Sequence, residues 1–167
     1  DISDRKRAEE ALRESEERSR LSEQRLQSLF ETMEEGVIFI APDGQIAYAN
    51  SAAGRILGIS RPEVTSRNFI APQWEMLRPD GTVMPPEEMA GPRAMKEKLP
   101  VKDVVMGVKR PDGSISWINV CAAPLVNSAG ALDGVVGTFT DVTDRMRAEE
   151  ALQKSEGQLH QAQKMES

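Results

Sequence analysis

The chain has 167 residues, 39% of them hydrophobic and 4% aromatic, with a net charge of −6, a length of about one domain plus flanking segments. No apolar run approaches the roughly 20 residues of a membrane span, no basic-then-apolar leader is seen, and the single cysteine, Cys121, excludes an internal disulfide or a multi-cysteine metal site. The acidity is local: residues 1–35 hold 11 acids and 7 bases, residues 141–167 hold 6 and 4, and residues 36–140 balance at 10 and 10, which reads as solvated helix surface and argues against nucleic acid.

From Arg5 to about Glu35 the chain has no Gly or Pro and is rich in Glu, Arg, Ala and Leu, which predicts a helix. Ala8, Leu12, Ser15, Ser19, Ser22, Leu26, Leu29 and Met33 alternate in steps of four and three, a heptad seam weakened by its central serines. Leu26, Leu29, Phe30 and Met33 make a stronger stripe at its end. Gly36 is expected to stop this helix. Val37 to Ala41 reads as a short strand, Pro42-Asp43-Gly44 as a turn and Gln45 to Ala49 as the second arm of a hairpin. Asn50 suits the cap of a short helix whose Ala53, Ile56 and Leu57 face inward before Gly58.

Residues 60–72 read as short, broken helix, and Pro79-Asp80-Gly81 as a further turn. A helix is expected from Pro85 to about Leu99, irregular near Gly91-Pro92. Three long strands follow at roughly 101–110, 114–126 and 131–142, joined at Pro111-Asp112-Gly113 and at 127–130. Antiparallel strands with helices segregated between them indicate an α+β fold.

The last strand changes period without a loop. Val135, Val136, Phe139 and Val142 belong to a strand, and from Arg145 the pattern is helical, with Ala148 and Leu152 four apart. Thr143 and Asp144 sit at the switch, where a short oxygen-bearing side chain can accept from unpaired helix N–H groups. The same switch opens the chain. Asp1 to Glu17 and Asp141 to Gly157 are identical at eleven of seventeen positions, at an offset of 140. The chain thus looks like one unit of a longer array, starting at the end of the preceding one.

EGVIFIAPDGQIAYANSAAGRILG, RPDGSISWINVCAAPLVNSAGALDGVVGTFTDVTDR and the Asp-x-Thr ending, in this order and spacing, resemble a PAS domain, the sensory module of bacterial signalling proteins. The resemblance covers about residues 26–147. It implies a five-stranded antiparallel sheet of order 2-1-5-4-3 with helices on one face enclosing a cavity. The expected organisation is an N-terminal coiled-coil linker helix at 1–25, the PAS domain at 26–143 and a C-terminal signalling helix at 144–167. SEGQLHQAQKMES is similar to the helix that enters the dimerisation and phosphoacceptor domain of a sensor histidine kinase. His160, the only histidine, is followed by Gln161-Ala162 where a phosphoacceptor box has an acid and an apolar residue, so it reads as a solvent-facing helical residue.

By resemblance, Ile118, Val120 and Ala122 on one strand and Gly137 and Phe139 on the next face the cavity. Trp117, Asn119, Cys121, Thr138 and Thr140 then lie on the opposite face. Haem is disfavoured, because no His lies between 36 and 140, although Met76, Met84, Met89, Met95 and Met106 remain as candidate ligands or, more blandly, as adaptable core. A flavin–cysteine adduct needs its Cys on a helix, and Cys121 falls on a predicted strand. The cofactor is therefore left open, with an empty pocket or an apolar ligand favoured. No catalytic or metal-binding constellation is found.

The family's Asp motif assigns Asp141 and Thr143 to signal coupling, with Arg145 as the nearest basic partner. The seams place Leu12, Leu26, Leu29, Leu152 and Leu159 at a homodimer contact. The expected function is a sensory and relay module of a cytoplasmic two-component histidine kinase, itself not an enzyme, with the kinase dimerisation domain as its partner in the parent chain. No nucleic-acid or membrane contact is expected. The alternatives are a ligand-free structural dimeriser and the same module feeding a diguanylate cyclase.

Overall fold

The computed structural model describes residues 1–71 and 73–166, and it falls into two units, Asp1–Met33 and Glu34 onward. The first unit is helix α1, Ile2–Thr32, a 31-residue helix with no buried residue. The Asp1 carboxylate caps it by accepting from the Ser3 N–H at 3.3 Å. α1 stops at Thr32, with an extended Met33 as its cap. Gly36, expected to end the helix, is instead the first residue of a strand. What demands glycine there is a ring: a Cβ on Gly36 would collide with Phe139, its register partner.

The second unit runs β1 (Gly36–Ile40), β2 (Ile46–Ala49), α2 (Ser51–Leu57), α3 (Arg61–Thr65) and β3 (Met76–Leu77). After these come α4 (Ala90–Glu97), β4 (Val101–Lys109), β5 (Ile115–Val126), β6 (Leu132–Asp141) and α5 (Thr143–Glu166). Residue 72, the expected end of the broken helix, lies outside the described residues. The predicted 85–99 helix is shorter than expected: a single 3-10 turn at Pro86–Glu88, then α4. Gly91 and Pro92 fall in the first turn of α4, where a missing N–H costs nothing.

All strands form one antiparallel sheet of six, in the order β2-β1-β6-β5-β4-β3. The expectation of five strands in the order 2-1-5-4-3 is corrected by β3. Its two residues pair with the edge of β4, Met76 with Val108 and Leu77 with Gly107. Two paired residues leave no alternation to read in a sequence. The expected turn at Pro79-Asp80-Gly81 folds the chain back beyond this strand, where Leu77 bridges to Val83.

Three Pro-Asp-Gly turns share one construction. In each the Asp carboxylate accepts the N–H two residues on, Gln45, Thr82 and Ser114, at 2.9 Å. In each the glycine has φ of 88° to 90°, which side-chain-bearing residues rarely adopt.

The core lies between the sheet and helices α2, α3 and α4. Ile40, Ile46, Ala53, Val64, Ala90, Ala94, Val108, Ile118, Val135 and Phe139 are buried in it. Two polar residues, Asn50 and Ser116, are fully buried. Asn50 Oδ1 accepts both the Ala53 N–H (3.0 Å), as the cap of α2, and the Val37 N–H (2.9 Å), and its Nδ2 donates to the Glu35 carbonyl at 2.9 Å. The expected cap therefore also holds the entry to β1.

Candidate functional site

Alternation along the strands decides which side chains face the helices. On β5, Ile118, Val120 and Ala122 point inward, and Gly137 and Phe139 do so on β6. β1 adds Ile38 and Ile40, β2 adds Ile46, and β4 adds Met106. Leu57, Val64, Ala90 and Pro92 close the helical side, and Phe69, Trp74, Met76 and Met89 close the remaining wall. These residues enclose a cavity of about 80 Å³. Every lining side chain is apolar except the Trp74 indole N–H, and that donates to the Asn68 carbonyl at 3.0 Å. The Arg67 guanidinium lies 4.7 Å from the centre of the Trp74 ring, a cation–π contact that helps hold the ring.

The volume limits the contents. One water needs about 10–15 Å³ by this measure, and a dry engineered cavity of about 150 Å³ takes benzene. Small-molecule pockets run to about 300–1,000 Å³. At about 80 Å³ the cavity lies below that range. Cys121 is not on the lining. It lies half-buried on β5 opposite Thr138, on the other face, where it cannot reach a cavity ligand. Of the methionines considered as iron ligands, Met76, Met89 and Met106 line the cavity.

The second part of the site is the joint between sheet and output helix. β6 ends at Asp141 and α5 begins at Thr143, with Val142 alone between them. Asp141 Oδ1 accepts from the Thr143 N–H at 2.9 Å and from the Thr143 hydroxyl. The Thr143 Oγ1 in turn accepts the Trp117 N–H at 3.0 Å, and the Val142 N–H donates to the Trp117 carbonyl at 2.8 Å. Two bonds to one residue of β5 thus fix the first turn of α5.

The basic partner of Asp141 is Arg110 at 3.9 Å, not Arg145, which pairs along the helix with Glu149 at 3.9 Å. Helix geometry explains the difference: side chains at i and i+4 are neighbours on a helix surface, and Asp141 lies before its start. Arg110 also donates through Nε to the Ser116 hydroxyl (2.6 Å) and through Nη2 to the Ile56 carbonyl (3.0 Å). The buried Ser116 hydroxyl donates to the same carbonyl at 2.9 Å. The last turn of α2, the β4–β5 hairpin and the β6–α5 joint are therefore linked by one polar chain. Neither Arg110 nor Ser116 was singled out from the sequence, but a signal existed. Arg-Pro-Asp-Gly occurs twice, at 78–81 and 110–113, and both arginines reach a carboxylate, Arg78 to Glu88 and Arg110 to Asp141.

Leu12, Leu26 and Leu29 on α1, and Leu152 and Leu159 on α5, are exposed by 60% or more of their surface. Among the described residues, no group of three or more His, Cys, Asp or Glu is placed to hold a metal. No helix among them is long and apolar enough to cross a membrane.

The family model described as PAS fold matches residues 24–142. The chain belongs to the PAS family, and the sheet, helices α2 to α4 and the cavity between them lie within the matched residues. Among solved structures it is similar to a sensory box histidine kinase/response regulator from Burkholderia thailandensis E264. That likeness is 26% identical, covers 82% of this chain and 98% of that one, and has a TM-score of 0.55. It is similar in fold to a PAS domain from Colwellia psychrerythraea, at 16% identity, 74% and 98% coverage and a TM-score of 0.57. An RNA-binding light-oxygen-voltage receptor shares the fold at 23% identity, 87% and 40% coverage and a TM-score of 0.65. No curated protein matches.

Proposed function

We propose that this chain is the sensory and relay PAS module of a cytoplasmic two-component histidine kinase, coupling the state of its cavity, or of a homodimer, to α5. The observation that carries the reading is the joint: nothing flexible separates cavity-facing Phe139 from the first turn of α5. Val142 to Arg147 contains neither Gly nor Pro, and the Trp117 backbone clamps both Val142 and Thr143. A displacement of β6 therefore moves the helix start with it. The likeness to the Burkholderia sensory box kinase supports the kinase as host. The exposed leucines of α1 and α5 support pairing with a second copy, because isolated polar helices are marginal in water. The fragment has no enzyme role in this reading; its partner is the kinase dimerisation domain of the parent chain.

The 80 Å³ volume favours a second reading, a ligand-free dimeriser that sets spacing between other domains. Asp141→Ala in the full-length kinase separates the two. The relay reading expects altered regulation of autophosphorylation with the sheet still folded. The spacer reading expects unchanged regulation.

A further inference from the structure

The inner cavity does not end at its own wall. On the far side of Phe69, Trp74, Met76 and Met89 lies a surface groove of about 360 Å³, and these four side chains line both spaces. The outer groove is continued by Ile70 and Val83, which are 53% and 73% exposed. The cavity alone is below the range of small-molecule pockets, and the groove alone is within it. Two of the four shared side chains are methionines, whose unbranched thioether chains re-pack readily.

From this partition we infer that the inner cavity and the outer groove are two halves of one binding site for an uncharged, unbranched aliphatic molecule. One end fills the cavity, and the chain crosses where Met76 and Met89 give way and runs out along Ile70 and Val83. The charge pattern selects an uncharged ligand. The one charged side chain on the groove, Glu75, is engaged by Lys109 at 3.1 Å, and Arg78 beyond Leu77 is held by Glu88 through two bonds of 2.8 and 2.9 Å. A ligand carboxylate entering here would shed its water and, among the described residues lining the groove, find no cation. The inference rests on the cavity being the input side of the module. Its test reads binding alone, so a failed kinase assay leaves it standing and a failed binding assay leaves the β6–α5 relay standing.

The experiment is titration calorimetry of the full 167-residue chain with n-alkanols from butanol to decanol, and with decanoate. Each added methylene that finds apolar surroundings should tighten binding about fourfold, and the rise should continue through decanol. Decanoate should bind at least tenfold more weakly than decanol. The double variant Ile70→Asp, Val83→Asp changes only exposed positions. It should weaken decanol at least tenfold and leave butanol unchanged. A plateau by pentanol would show a closed inner cavity and overturn the inference. Equal loss for butanol and decanol in the double variant, no loss for either, or no binding of any alkanol would overturn it as well.

Discussion

Thr143→Val tests the joint with the smallest change. Valine keeps the branched shape and drops the hydroxyl. Two bonds are lost: the one Thr143 accepts from the Trp117 N–H at 3.0 Å and the one it donates to Asp141. Leaving a buried donor unpaired costs about 1–3 kcal/mol. Trp117 and Thr143 are only half-buried, so water recovers part of this, and a loss of about 1–1.5 kcal/mol is expected. For a unit of this size that is about 4–6 °C in Tm. Urea unfolding followed by circular dichroism gives the stability, and amide exchange gives the location. The Trp117 amide should exchange about tenfold faster, while the Asn119 amide, deeper in the same strand pair, should keep its protection. Unchanged Tm together with an unchanged Trp117 amide would refute the clamp.

Other consequences are equally specific. Gly36→Ala should displace the Phe139 ring and destabilise the domain by about 1–3 kcal/mol, read by denaturant unfolding. Asn50→Ala leaves the Val37 and Ala53 N–H groups and the Glu35 carbonyl without their side-chain partner and should cost about 3 kcal/mol or more. A loss below about 1 kcal/mol would count against that triple role. Glu88 is held below the usual carboxylate range, chiefly by its hydrogen bonds from Arg78. A depressed folded pKa contributes stability above the unfolded value and loses it as pH falls through the folded one. The clasp to Arg78 should therefore persist at neutral pH and open only below the ordinary Glu titration. Carboxyl NMR shifts should place the Glu88 midpoint below the ordinary Glu value, and a midpoint at or above it would contradict the bidentate pair. Deleting residues 1–24 should weaken self-association while the sheet stays folded, and a tight dimer of the shortened chain in sedimentation would remove α1 from the interface.

Much of this arrangement is legible in the residues themselves. Pro-Asp-Gly marks three turns because Pro, a short carboxylate and a positive-φ glycine each meet one demand of the same geometry. Strand alternation then sorts Ile118, Val120 and Ala122 from Trp117, Asn119 and Cys121. β3 was not legible, because its two residues are made a strand by the edge of β4 and not by their own pattern. The basic partner of Asp141 is hidden from the sequence for a related reason. A search near Asp141 in sequence finds Arg145, whereas the neighbour in space comes from the β4–β5 turn, 31 positions earlier. Gly36 reads as a helix stop because Gly after a helix usually is one, whereas the demand for glycine there comes from the Phe139 ring, a contact between β1 and β6. The small volume of the cavity was also beyond the sequence, since the apolar pattern of its wall is the same whether the wall is closed or open.

The central claim is that β6 and α5 move as one piece. Cysteines placed singly at 152, 155 and 159 in the parent kinase, with Cys121→Ser as background, report the α5 pair through disulfide crosslinking. The relay account predicts that the favoured position changes between signalling-on and signalling-off states, as one face of the helix replaces another. An identical crosslinking pattern in both states, in a kinase whose activity still switches, would contradict it.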